Sequence, residues 1–218
     1  MIPAREALAR LREGNGRFVA EVQAPKSGES RRREVSAAQE PFAIILGCSD
    51  SRVPAELVFD QGLGDLFVIR VAGNIVAPSQ VGSVEFAAER YGVRLVVVLG
   101  HSNCGAILAT VEQLSRPSEQ RSRNMHTIVA RIRPSVDMLL RNDPGTDQAA
   151  LIERAVRANI RVSTDHLRHG SQILEELVEK NGLLIVGAEY SLETGVVDFF
   201  DIPDETGVYA QLKGGLRR

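Results

Sequence analysis

Two cysteines and one histidine follow two apolar segments of the chain, and together they form a set of possible metal ligands. Cys48 follows the run 42–46 and a glycine, while His101 and Cys104 follow the run 95–99 and a second glycine. The chain has only these two cysteines, too few for a disulfide scaffold, and a reducing compartment would disfavour even one bridge. Two thiolates and an imidazole are suitable ligands for Zn2+.

The spacing of His101 and Cys104 lets the two side chains converge if a helix begins there. A structural zinc site is normally closed by a fourth Cys or His, but the other histidines lie outside these two segments, at positions 126, 166 and 169. The fourth position is therefore left to water, substrate or a carboxylate, and an open position is typical of catalytic zinc. Because zinc lowers the pKa of bound water to roughly 7, hydroxide would be available near neutral pH.

Asp50 and Arg52 lie beside Cys48 on the same predicted loop. A guanidinium can hold a carboxylate through two parallel hydrogen bonds, so Arg52 could fix Asp50 next to the metal. Asp50 could then accept a hydrogen bond from zinc-bound hydroxide and orient it towards substrate. If Arg52 released it, Asp50 could become the fourth ligand itself.

Such a site needs a framework that brings distant segments together, and the apolar pattern predicts an α/β fold. Continuous apolar runs indicate strands buried on both faces, as in a mostly parallel four-stranded sheet flanked by helices. Helical patterns alternate with these runs. Sites in open α/β sheets gather beyond the carboxyl ends of the strands, where the candidate ligands stand. The predicted strands are 42–46, 66–69, 95–99 and 183–186, with 196–200 as a fifth, edge strand, and the predicted helices are 3–22, 80–91, 104–114 and 147–169.

Composition and charge exclude several classes of function. The net charge of -2 gives no indication of nucleic-acid binding, and the basic run 31–33 is predicted to be a solvated loop. No apolar stretch reaches the roughly 20 residues that a membrane-spanning helix needs. The first twenty residues alternate charged and apolar side chains, unlike a signal peptide. We therefore expect a cytoplasmic protein with no membrane partner.

The segment Cys-Ser-Asp-Ser-Arg at 48–52, with His-Ser-Asn-Cys-Gly at 101–105, resembles the β-class carbonic anhydrases. The resemblance covers the chain from Ala4 to Phe200. It implies that zinc is bound by Cys48, His101 and Cys104, beside a dyad of Asp50 and Arg52. It also implies a carbonate dehydratase, in which zinc-bound hydroxide hydrates CO2 reversibly to bicarbonate and a proton.

The resemblance implies further contacts with substrate. Gln39 stands where the family has a glutamine that hydrogen-bonds substrate, and Gly105 where a backbone amide meets substrate. Phe67 and Phe86 look like positions that line the apolar CO2 pocket. Gln39, close to a proline, could instead simply lie in a turn, and Phe67 and Phe86 could instead belong to the core.

Some family members also have a non-catalytic bicarbonate pocket built by a Trp, an Arg and a Tyr, and a zinc site that closes with pH. This chain resembles them at Arg70 and at Tyr190, but Ile45 stands where the Trp would be and the chain has no Trp. The resemblance therefore gives little support to that pocket. The missing Trp does not exclude a zinc site that Asp50 closes in response to pH alone.

The family resemblance also implies how the chain is organised. Residues 1–36 are expected to form a helical arm that wraps a partner subunit, and residues 37–218 a single α/β zinc catalytic domain. We therefore expect a homodimer or homotetramer, with Phe67 and Phe86 reaching across the interface.

Two alternatives to carbonic anhydrase activity follow from the same residues. Relatives on this scaffold hydrolyse carbonyl sulfide or carbon disulfide with the same metal set. A non-catalytic zinc-binding or redox-sensing module is the other alternative, although its usual marks, a Cys-x-x-Cys pair or four Cys/His ligands, are absent.

Overall fold

The structure is a computed structural model, and it describes residues 2–22, 28–115, 122–142 and 147–203. Within these ranges the strands are β1 (Ala43–Gly47), β2 (Leu66–Arg70), β3 (Leu95–His101), β4 (Leu184–Tyr190) and β5 (Val197–Asp201). They form one sheet in the order β2-β1-β3-β4-β5. The first four are parallel and β5 is antiparallel to β4. The predicted α/β class, with four parallel strands and a fifth at the edge, is confirmed.

Helices alternate with these strands and cover both faces of the sheet. Helices α4 to α8 pack on one face, and α1 and α3 on the other. Every residue of β1 and β3 is buried as a result, which explains their unbroken apolar sequence. The helices are α1 (Ala4–Val19), α2 (Glu29–Glu34), α3 (Ala55–Val58), α4 (Pro78–Arg90), α5 (Gly105–Ser115), α6 (Arg123–Asn142), α7 (Gln148–His169) and α8 (Gln172–Lys180), with a 3-10 turn at Ala72–Asn74.

The four predicted helices are present, with ends that differ by a few residues. Two long helices, α6 and α8, were not predicted, although both have apolar residues at helical spacing. In α6 these are Val129, Ile132 and Val136, which are buried. Pro134 lies inside α6 on its exposed side. Because proline normally breaks a helix, its presence argues against a helix when only the sequence is considered.

The basic run 31–33 is helical rather than a solvated loop, because α2 contains it. Arg31 donates hydrogen bonds to the carbonyl oxygen of Leu63 at 3.0 Å and to Asp65 at 3.1 Å. The prediction was wrong for Arg31, since Asp65 and a nearby carbonyl of the loop before β2 provide acceptors that the sequence pattern does not show.

Helix α1 packs closely against its own chain. The buried Asn15 donates to the carbonyl oxygens of Val58 and Gly195, and it accepts from the amide of Val197 at 2.9 Å. Its neighbour Gly14 lies so near the chain that a Cβ there would stand 1.8 Å from the carbonyl oxygen of Phe59. The division into an arm at 1–36 and a domain at 37–218 stays a prediction.

None of the helices in the described ranges combines the length and the apolar character that a bilayer crossing demands.

Candidate metal centre

Cys48, His101 and Cys104 meet at the carboxyl edge of the sheet. Cys48 directly follows β1, His101 is the last residue of β3, and Cys104 precedes the first turn of α5. Because β1 and β3 are adjacent and parallel, their ends lie side by side. The two sulfurs and an imidazole nitrogen all lie within 4.8 Å of one another, and all three residues are buried. This is the arrangement that the sequence predicted for the ligands.

The imidazole of His101 is oriented for a metal. Its Nδ1 lies 2.9 Å from the carbonyl oxygen of Ser102, so the proton belongs on Nδ1, where it can be donated to that acceptor. The Nε2 lone pair is then free to bind a cation. Nε2 is buried and has no hydrogen-bond partner among the described residues, a costly state for a polar atom unless a ligand satisfies it.

A hydrogen bond links the side chains of Cys48 and Cys104. Cys104 donates a hydrogen bond to the Cys48 sulfur, and this lowers the pKa of Cys48 far below its ordinary value, while burial works against it and His101 and the Gly73 amide assist. The same hydrogen bond, together with burial, raises the pKa of Cys104. One thiolate is thus preformed, and a metal must displace the proton of the other sulfur.

The electrostatics of His101 follow from the same thiolate. Burial alone would lower the pKa of His101, but the nearby Cys48 thiolate outweighs it and raises the pKa above its ordinary value. The pocket therefore attracts positive charge. A divalent cation would satisfy the thiolate and the imidazole together, so the residues present fit zinc.

Asp50 and Arg52 form the predicted pair. Arg52 donates from Nε to Oδ1 of Asp50 at 2.9 Å and from its second nitrogen to Oδ2 at 2.8 Å, and its backbone amide also donates to Oδ1. These bonds hold the pKa of Asp50 well below its usual range. Oδ2 lies 3.8 Å from Nε2 of His101, so the carboxylate faces the cluster while both of its oxygens are engaged by Arg52.

Arg70, at the end of β2, holds the loop that carries Cys48. It donates to the carbonyl oxygen of Cys48 at 3.0 Å and to that of Asp50 at 2.6 Å. Of the other two positions compared with the bicarbonate pocket, Ile45 is fully buried and Tyr190 is buried with its ring against Phe18. Arg70 therefore has a structural task beside the metal centre in this chain.

A turn that sequence reasoning missed supports Cys48 from the other side. The amide of Gly73, in the 3-10 turn, points at the Cys48 sulfur across 3.4 Å. Gly73 has a φ of 71°, which favours glycine, and a Cβ there would lie 2.8 Å from Cδ1 of Ile132. The α7 side chains Asn159 and Ser163 donate to the carbonyl oxygens of Gly73 and of the residue after it. The sequence signal that could have predicted this turn is the glycine itself, which follows the end of β2 by three residues.

The predicted substrate residues divide into two groups. Gly105 is the first residue of α5, directly after a ligand, and is exposed. Gln39 instead lies before β1, at the opposite edge of the sheet, where its amide donates to the hydroxyl of Tyr91 at 2.9 Å. Phe67 and Phe86 pack with Tyr91, with ring centroids about 6 Å apart. The structure therefore brings Gln39, Phe67 and Phe86 together around Tyr91, away from the metal ligands of the same chain, while Gly105 lies beside those ligands.

Comparison with known proteins adds an independent observation. Residues 43–197 match a protein family described as carbonic anhydrase. Carbonic anhydrase 2 of Mycobacterium tuberculosis is 39% identical over 189 residues, covering 85% of this chain and 87% of that protein. A carbonic anhydrase of Mycolicibacterium smegmatis is 38% identical over 189 residues, covering 86% of this chain and 89% of its own.

Solved structures share the fold. The β-carbonic anhydrase CafA of Aspergillus fumigatus superposes with a TM-score of 0.72 at 21% identity, covering 93% of this chain and 92% of that one. The β-carbonic anhydrase CcaA gives a TM-score of 0.71 at 25% identity, with 93% and 94% covered. A tetrameric β-carbonic anhydrase of Sordaria macrospora gives 0.70 at 21% identity, with 90% and 95% covered.

Proposed function

The chain belongs to the carbonic anhydrase family, in its β class, and on that premise we propose that it hydrates carbon dioxide reversibly at a zinc ion bound by Cys48, His101 and Cys104. The observation that carries the proposal is the buried cluster of two sulfurs and an unpartnered imidazole nitrogen. Among the described residues this is the one group of His, Cys and acidic side chains placed to hold a metal.

Zinc bound there would supply a Lewis acid that lowers the pKa of water in the open fourth position to about 7. The residues themselves set the charge of the site. Cys48 and Cys104 as thiolates balance the two charges of the ion, and His101 stays neutral with its proton on Nδ1. Burial of all three excludes competing water.

Asp50 positions the reacting water. Its Oδ2 faces the cluster, and Arg52 holds both carboxylate oxygens in a fixed plane. Because the pKa of Asp50 is held low, the group is ionised throughout the neutral range and can only accept a hydrogen bond from the water. This directs the remaining lone pair of the water towards carbon dioxide.

The amide of Gly105 is suited to bind the product. It lies in the first turn of α5, where backbone N–H groups lack helical acceptors and the helix dipole favours negative charge. An oxygen that gains charge as bicarbonate forms would be stabilised there. Gly105 follows Cys104 directly, so the amide and the metal act on the same small volume.

Gln39, Phe67, Phe86 and Tyr91 act in an oligomer. They surround the free edge of β2 and the outward side of α4, and Phe86, which is 51% exposed, forms one aromatic cluster with Phe67 and Tyr91, a contiguous apolar surface of the kind that a partner covers. We infer that a second copy covers this group, and that the group completes the substrate pocket of that copy. A homodimer or homotetramer follows, and the free thiols suit a reducing cytoplasm.

The test is Cys104→Ala in the full chain. Removal of one of three ligands should abolish stoichiometric zinc binding, and CO2 hydration should fall to background. Metal content is measured by elemental analysis and turnover by stopped-flow spectroscopy, with carbonyl sulfide and carbon disulfide assayed in parallel. Gln172→Ala, on the exposed surface of α8, is the control and should keep both zinc and activity. An active, metal-free Cys104→Ala protein would refute the proposal.

A further inference from the structure

A cavity lies between α4, α6 and α7, next to the segment that follows the 3-10 turn. It has a volume of about 600 Å3, within the range of small-molecule sites. Its walls come from the segment after the 3-10 turn, from α4, and from α6 and α7. The walls are mostly apolar, as is usual for sites that bind an organic molecule; the apolar residues are Ile75, Val76, Pro78, Val81, Pro134 and Val162.

The polar groups at this cavity are unevenly distributed. Arg131 of α6 and His166 of α7 both line it, and within the described residues neither side chain has a hydrogen-bond or ion-pair partner. Glu85 of α4 lines another part of the wall, and it accepts a hydrogen bond from the hydroxyl of Ser171 at 2.6 Å. The acidic group is therefore already engaged by the protein, while the two donor groups are available to a ligand.

We propose that this cavity binds a monocarboxylate with an apolar body, a class of ligand distinct from carbon dioxide and bicarbonate. The apolar walls take up the hydrocarbon part, which supplies most of the affinity. Arg131 binds the carboxylate, because a guanidinium offers two parallel donors to its two oxygens, and His166 donates a further hydrogen bond. Glu85 repels the anionic end, which fixes the direction in which the molecule enters.

The cavity shares its supporting helices with the metal centre. Ile132 of α6 packs on Gly73, and Ser163 of α7 binds the carbonyl of the next residue. Arg131 precedes Ile132 in the chain, and Ser163 itself lines the cavity. A molecule bound between α6 and α7 thus contacts the helices that hold the turn against Cys48, although it lies outside the metal centre.

The test compares three molecules with the same body and different end groups: 3-phenylpropanoate, 3-phenylpropan-1-ol and 3-phenylpropan-1-amine. Calorimetry on the zinc-loaded protein should show the carboxylate binding at least about tenfold more tightly than the alcohol, as expected for charge-assisted hydrogen bonds. The amine should bind most weakly. Azide, a small anion that ligates zinc, should not displace the carboxylate, which separates this cavity from the metal centre.

Two variants locate the binding. Arg131→Gln should weaken 3-phenylpropanoate by about tenfold, while Arg133→Gln, on the same helix but paired with Asp137, should leave its affinity unchanged. Gly82→Leu should narrow the cavity, because Gly82 lines it, and the larger side chain should be accommodated without a clash, since a Cβ there meets no atom within 4 Å. The proposal is overturned by undetectable binding at millimolar concentration, by preference for the amine, by displacement with azide, by wild-type affinity in Arg131→Gln or Gly82→Leu, or by a partner subunit filling the cavity in a crystal.

Discussion

The hydrogen bond from Cys104 to Cys48 sets the charge of the candidate metal site. The hydrogen bond from Cys104 favours the thiolate form of Cys48, so this sulfur is ready to bind a cation. Because the pKa of Cys104 is raised, its sulfur can bind a metal only after the metal has displaced the thiol proton. The backbone contributes to the same task through the amide of Gly73, and the carbonyl after His101 selects its tautomer.

Asp50→Asn tests whether the carboxylate, and not merely a polar group, directs the reaction. The variant should keep zinc, since Asp50 is held by Arg52, but kcat should fall about 10- to 100-fold, as for other groups that orient a metal-bound reactant. Stopped-flow kinetics and metal analysis measure the two effects. Asp137→Asn breaks a surface pair with Arg133 and should change neither; equal kinetics in both variants would contradict the role of Asp50.

The pH dependence of that pair has a definite sign. The pKa of Asp50 is lower in the folded chain than in the unfolded one, so the ion pair with Arg52 stabilises the fold above the unfolded value of about 3.9. The contribution is lost only as the pH falls towards the lower, folded pKa. Thermal unfolding of wild type and Asp50→Asn should therefore converge in acid and differ most at neutral pH; a difference that grows towards acid would contradict this.

Single residues with a distinctive chemistry were predictable from sequence. Cys48, His101 and Asp50 have side chains whose types and spacing indicate a metal site, and the structure brings them together. Gly73 and Tyr91 were missed because they act through a backbone amide and through a tertiary contact. Neither the amide contact of Gly73 nor the side-chain contact of Tyr91 can be predicted from the residue type alone.

At the scale of elements, the docking of α1 depends on one glycine. Helix α1 approaches the loop after α3 so closely that Gly14 faces the carbonyl of Phe59. Sequence alone predicts both glycines of α1 to weaken the helix equally. The structure separates them, because a Cβ at Gly16 would meet no atom of the rest of the chain within 4 Å.

Gly14→Ala and Gly16→Ala therefore form a matched pair. Gly14→Ala should destabilise the chain by about 1–3 kcal/mol, because the carbonyl of Phe59 cannot yield as a side chain would. Gly16→Ala should stabilise it by about 0.5–1 kcal/mol through helix propensity. Denaturant unfolding measures both, and a loss of the same size in the two variants would show that α1 does not dock as described.

Strands were easier to predict than helices in this chain. Burial on both faces imposes unbroken apolar runs on β1 and β3, which sequence shows directly. Helices α6 and α8 carry only a narrow buried stripe: α8 has one fully buried residue, Leu174. Their stability comes from tertiary packing, and that is invisible until the sheet is assembled.

At the scale of the whole molecule, the predicted CO2-pocket phenylalanines lie away from the candidate metal ligands of their own chain. Phe86 is half exposed beside Phe67 and Tyr91. If a second copy covers them, assembly and activity depend on the same surface. A monomer would then have ligands for its metal but an incomplete pocket for its substrate.

Phe86→Ser should weaken the oligomer and lower kcat/KM together, while zinc content stays at one per chain. Sedimentation velocity gives the assembly state at several concentrations. Met138→Ser removes an apolar side chain of similar exposure from α6 and should leave the assembly intact. An oligomer of unchanged affinity in Phe86→Ser would place the interface elsewhere.

The two ligand segments are far apart in sequence, and a metal bound between them would therefore act as a reversible cross-link. Residues 49–100 lie between Cys48 and His101, so an occupied site closes a long loop through β1 and β3. A covalent link across such a loop removes about 4 kcal/mol of entropy from the unfolded chain. Chelation should therefore lower the melting temperature. The far-ultraviolet circular dichroism of the chelated protein, measured well below that temperature, should stay native. Loss of the metal would thus shorten the lifetime of the folded protein as well as stop turnover.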